Sequence, residues 1–76
     1  MNRVEAKVLL NEAYRQNGMM FSETANDDGS ATRRIGDPVR GVFGEAIHQD
    51  RIIAGGMAYQ QYKAADDQKR DEPTAS

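Results

Sequence analysis

The sequence predicts an α+β fold: an N-terminal helix packed on a small antiparallel β-sheet or partial barrel. Three observations carry this. Residues 2–16 keep a helical apolar period with no Gly or Pro. From Met19 the pattern switches to alternation, the period of a strand with one buried face. Two breaks, Asn26-Asp27-Asp28-Gly29-Ser30 and Gly36-Asp37-Pro38, cut that alternating region into strand-length pieces.

In the first element, Ala6, Leu9, Leu10, Ala13 and Tyr14 share one broad face at 100° per residue. Asn17-Gly18 stops the helix, because Gly accepts the left-handed conformation that a helix end needs. Val4 and Val8 lie one turn apart on another face, beside Asn11 and Arg15. That second apolar stripe exceeds what docking on a sheet requires. It is read as a contact with a neighbouring subunit.

Met19, Phe21 and Ala25 alternate with Met20, Ser22 and Thr24 in the first strand. The Asn26–Ser30 turn follows, then a second strand over 31–35. A third runs from Val39 to Ile47, with Ile35, Val39, Phe43 and Ile47 expected on one side. Arg34, Arg40, His48 and Val42 are expected on the other. Gly41 and Gly44 mark bulges or close backbone approach. Residues 50–66 admit a strand with a glycine bulge or a helix capped by Asp50. Two adjacent glycines cost a helix about 2 kcal/mol relative to alanines. The preferred reading is a strand at 51–55 followed by a short C-terminal helix over 57–67. Residues 68–76 read as a disordered, solvated tail, leaving a single domain over 1–67.

Leu, Ile, Val and Phe together make 12 of 76 residues. That falls under the roughly 20% at which a chain is well supplied for a core. The formal net charge is only −2, so disorder does not follow. A small core with no cysteine points to help from an assembly. The lack of cysteine excludes disulfides, thiolate zinc sites and cysteine nucleophiles. Apolar runs are too short to span a bilayer, and charges occupy the N-terminus where a signal peptide needs an apolar core. A protein acting in a reducing cytoplasm, or in a particle assembled there, is expected. Acidic and basic residues are mixed along the chain, which disfavours a nucleic-acid partner.

Motifs with chemistry are scarce. An EF-hand loop with Gly29 at its sixth position would begin at Thr24 and end at Ile35. It lacks the first carboxylate and the closing glutamate, so a hairpin turn is preferred. Gly41-Val42-Phe43-Gly44 has the glycine spacing of a KH-domain loop, but Val42 and Phe43 are not the basic or small exposed residues such a loop needs. His48 is the lone histidine and has no recognisable nucleophile motif beside it. No catalytic residue, metal ligand, cofactor or small-molecule ligand is assigned, and no enzymatic activity is expected. Arg33, Arg34 and Arg40 form the one local basic cluster and share a rim if 31–35 and 39–43 are neighbouring strands. They are read, with Val4 and Val8 of the helix, as protein-interface residues, the alternative for the arginines being strand-edge charge that discourages aggregation.

Gly36-Asp37-Pro38-Val39-Arg40-Gly41-Val42-Phe43 resembles the V-x-G-V-F strand of tailed-bacteriophage head–tail joining proteins. The resemblance covers roughly residues 2–47. It implies a small β-barrel subunit in a ring below the portal, with Val39, Gly41, Val42 and Phe43 in a sheet strand. The expected function is therefore that of a virion structural protein, a head–tail connector or capsid-associated subunit. Its partners would be copies of itself and neighbouring virion proteins, with no membrane. A small phage- or plasmid-encoded inhibitor of a single host protein is the alternative.

Overall fold

A computed structural model describes residues 1–71, with side chains through Lys69. The elements run α1 (Arg3–Tyr14), β1 (Met20–Ala25), β2 (Ala31–Asp37), β3 (Val42–His48) and α2 (Arg51–Asp71). The three strands form one antiparallel sheet in the order β1-β2-β3. α2 packs on β2 and β3, and α1 packs on α2 on the same side, reaching the sheet through side chains such as Tyr14 against Phe21, which leaves the second sheet face uncovered by either helix. The α+β expectation holds, with an open three-stranded sheet.

Local chemistry sets each boundary. Asn2 caps α1 by accepting the Glu5 amide at 2.8 Å, while its own amide donates to the Glu5 carboxylate. The first bond satisfies a helix N–H that has no partner within the helix, and the second holds the capping side chain in place. Between β1 and β2, Asp28 Oδ1 accepts the Ser30 amide at 3.0 Å and the Ser30 hydroxyl at 2.6 Å. Gly29 sits at φ +86°, where an L side chain is strained. Between β2 and β3, Asp37 Oδ1 accepts the amides of Val39 and Arg40, and Gly41 closes the turn onto the Asp37 carbonyl at 2.9 Å.

That second turn corrects the expected facing of β3. The structure pairs Asp37 with Val42, leaving the four residues 38–41 in the loop. An even-numbered loop switches parity. Odd residues face the helices before it, and even residues face them after it. Ile35 is therefore buried with Val42, Gly44 and Ala46, while Phe43 and Ile47 turn to the opposite face. Val39, expected in the strand, sits in the turn and is 91% exposed. Both strand pairings keep a continuous one-to-one register, so neither Gly41 nor Gly44 marks a bulge.

A second correction concerns 51–71. No strand forms at 51–55. One helix of 21 residues runs through Gly55-Gly56, started by Asp50, whose Oδ1 accepts the Ile52 amide at 2.9 Å. The glycines are spent on packing. A Cβ on Gly56 would lie 2.6 Å from the Ala6 Cα and Cβ, and one on Gly55 would lie 2.9 Å from Leu10. Backbone contact with α1 outweighs the propensity penalty. The helix also continues past residue 67, so the expected tail begins too early. Of that tail, 68–71 are helical and 72–76 lie outside the described residues.

The core combines Leu10 and Ala13 of α1, Ile35, Val42 and Ala46 of the sheet, and Ala58, Tyr59 and Tyr62 of α2. The two tyrosine rings stack with centroids 5.8 Å apart. Alanines and glycines at the crossings let backbones approach closely, and two tyrosines fill much of the volume left by so few aliphatic side chains.

Candidate protein interface

On two surfaces of the described residues, exposed apolar side chains stand on one element face. The first is on α1. With Ala6, Leu10 and Ala13 turned inward, the helical period places Val4 and Val8 on the outside, at 73% and 62% exposure. Both stand where the sequence puts them.

The second surface is the outer sheet face, assembled by register from three strands. Met20, Ser22 and Thr24 of β1 lie beside Gly36, Arg34 and Thr32 of β2, which face Phe43, Glu45 and Ile47 of β3. Ile47 and Met20 are exposed and Phe43 is half-buried. The Phe43 ring covers Gly36, whose missing side chain leaves the space for it. The Arg34 guanidinium lies 4.1 Å from the centroid of the same ring, a cation–π contact, and Glu45 is its cross-strand neighbour. Sequence reasoning missed this face because the loop parity was not legible. Phe43 and Ile47 had the alternation of core residues.

The three arginines do not share a rim. Arg34 is on the outer face. Arg33, one residue away along the strand, points inward and is buried, where Nη1 donates to the Arg51 carbonyl at 3.3 Å and Nη2 to the Tyr14 hydroxyl at 3.4 Å. Its Nε lies 4.0 Å from Glu23. Arg33 thus ties β2 to both helices. Arg40 is in the β2–β3 turn and pairs with Asp66 of α2. Of the cluster, Arg34 alone is on an open face.

Other polar groups hold the fold together. The His48 Nδ1 accepts the Asp50 amide at 2.9 Å, and Asp50 in turn caps α2 and pairs with Arg3 at 2.9 Å. The lone histidine therefore belongs to the β3–α2 joint. Glu23 receives the Arg51 guanidinium through two bonds of 2.7 and 3.0 Å, which hold its carboxyl below the usual glutamate range. A polar groove of about 210 Å³ lies between α1 and α2, lined by Glu12, Gln16, Tyr59 and Lys63 among others. Burial pushes the Tyr59 hydroxyl above the usual phenol range, and the Glu12 charge adds to it. A second groove of about 290 Å³ lies between the β2–β3 turn and α2. Both fall below the usual range for drug-sized ligands. Among the described residues no three His, Asp or Glu side chains converge as a metal site. No helix among them is long and apolar enough to cross a membrane. Compared with protein-family models, with curated proteins and with solved structures, the chain matches none.

Proposed function

We propose that this chain is a non-enzymatic structural subunit of a bacteriophage particle, of the head–tail connector or capsid-associated kind, acting by assembly with copies of itself and with neighbouring virion proteins. One observation carries the assembly reading: apolar side chains stand exposed in both layers of the fold, Val4 and Val8 on α1 and Met20 and Ile47 on the outer sheet face. A subunit held between neighbours needs more than one contact surface, whereas an inhibitor of one host protein needs a single one. The phage assignment rests on the resemblance at residues 36–43. An open sheet in place of a closed barrel is compatible with a ring whose neighbours cover the uncovered face.

Size-exclusion chromatography with light scattering over a concentration series tests this. The wild type should exceed the 8.4 kDa chain mass as concentration rises. The Val4→Asp/Val8→Asp variant should shift that transition to higher concentration. A wild type that stays monomeric, yet forms a one-to-one complex with a single host protein, would transfer the assignment to the inhibitor.

A further inference from the structure

We infer that two copies of this chain pair through their β1 edges, antiparallel about a twofold axis at Ser22, to form one six-stranded sheet. This deepens the assembly reading above and rests on it. Among the described residues, the sheet order leaves β1 with β2 on one side and no strand on the other. Edge strands in monomeric proteins are commonly blocked by Pro, Lys, bulges or inward charges. Met20–Ala25 has no Pro, Gly or Lys, and its register with β2 is continuous. Its one charge, Glu23, is already committed to Arg51 by two hydrogen bonds. The edge's one block is Glu23, which lies on the helix side, and every β1 residue but Phe21 is exposed.

Self-pairing then has few registers. A twofold axis perpendicular to the sheet keeps outer residues opposite outer residues. Centring it on Glu23 opposes two like charges directly, which is destabilising. Centring it on Phe21 leaves only Met20–Ser22 paired. Centring it on Ser22 pairs Met20 with Thr24 and Phe21 with Glu23, keeps the two Glu23 side chains apart, and uses five of six strand residues. All four helices then lie on one face of the joined sheet. The two outer faces, with Met20, Phe43 and Ile47 on each, become continuous.

The absence of cysteine makes the test clean. Ser22→Cys places two thiols opposite each other at the axis, within disulfide reach. In that register two Thr24→Cys thiols would be offset by four residues, about 13 Å, beyond such reach. Under mild oxidation Ser22→Cys should give covalent dimer at about tenfold or higher yield over Thr24→Cys. Ser22→Asp should lose the concentration-dependent dimer while keeping the wild-type circular dichroism spectrum. Equal cross-linking of both cysteine variants, or none, in a chain that still associates overturns the β1 pairing and leaves the assembly reading standing. Unchanged association of Ser22→Asp does the same. A wild type monomeric throughout the series overturns both.

Discussion

The glycines that interrupt helix and strand patterns show how single positions decide this fold. Gly44 faces α2 so closely that a Cβ there would collide with the Ala58 carbonyl and the Tyr62 amide, both backbone groups. Gly56 meets Ala6 at 2.6 Å. An exposed helical Gly→Ala change gains roughly 1 kcal/mol, but overpacking costs about 1–3 kcal/mol. Gly56→Ala should therefore destabilise, and Gly44→Ala more so, because backbone cannot move aside as a side chain can. Urea denaturation of both variants checks the sign and the order. Glu23 supplies a pH test. Its folded pKa lies below the ordinary 4.5, chiefly through the Arg51 hydrogen bond. A depressed carboxylate pKa contributes stability that is present above the unfolded value and lost as pH falls through the folded one. Glu23→Gln should flatten the part of the stability curve below about pH 4.5, measured by chemical denaturation at stepped pH.

At the scale of elements, α1 is held by few large side chains. Leu10 is buried and touches the Gly55 backbone region. Leu10→Ala should cost on the order of 2–5 kcal/mol, a large share of what a domain this size holds. A loss below about 1 kcal/mol would show that α1 is not docked through this face. The end of α2 differs from the disordered tail expected from residue 68, since 68–71 are helical. Lys69 donates to the Arg40 carbonyl, and Gln68 lines the groove against Val42 and Phe43. Truncation after Asp67 removes these contacts but keeps the Arg40–Asp66 pair. A loss of about 1 kcal/mol, seen as a fall of roughly 4–8 °C in Tm, is expected by thermal melting.

Across the whole molecule, the helix layer and the sheet layer each leave apolar surface outside the shared core. Val4 and Val8 are exposed and outside the core cluster, so Val4→Asp/Val8→Asp should keep far-UV circular dichroism near wild type while weakening assembly. Unfolding of that variant would place the valines in the core and remove α1 as a contact surface. Some exposed charges are paired, as in Arg3–Asp50, Arg51–Glu23 and Lys63–Glu12, and such pairs are individually weak.

Local chemistry alone determined much of this protein. Asn2, Asp28-Gly29 and Asp37-Pro38 act on backbone within a few residues, so α1, the Asn26–Ser30 turn and the presence of three strands were legible from the sequence, whereas the second turn, expected at 36–38, lies at 38–41. The α1 face followed from a single uninterrupted period. Facing in β3 was not legible, because one residue more or less in the 38–41 loop exchanges Val42 and Ala46 for Phe43 and Ile47. Nor was the helix through Gly55-Gly56, since local propensity counts only the entropy cost of glycine. Contact with Ala6 and Leu10, some 45 residues earlier in the chain, offsets that cost. The arginines divided for the same reason. Alternation separates Arg33 from Arg34 in any strand, but only the packed helices decide which of the two is buried.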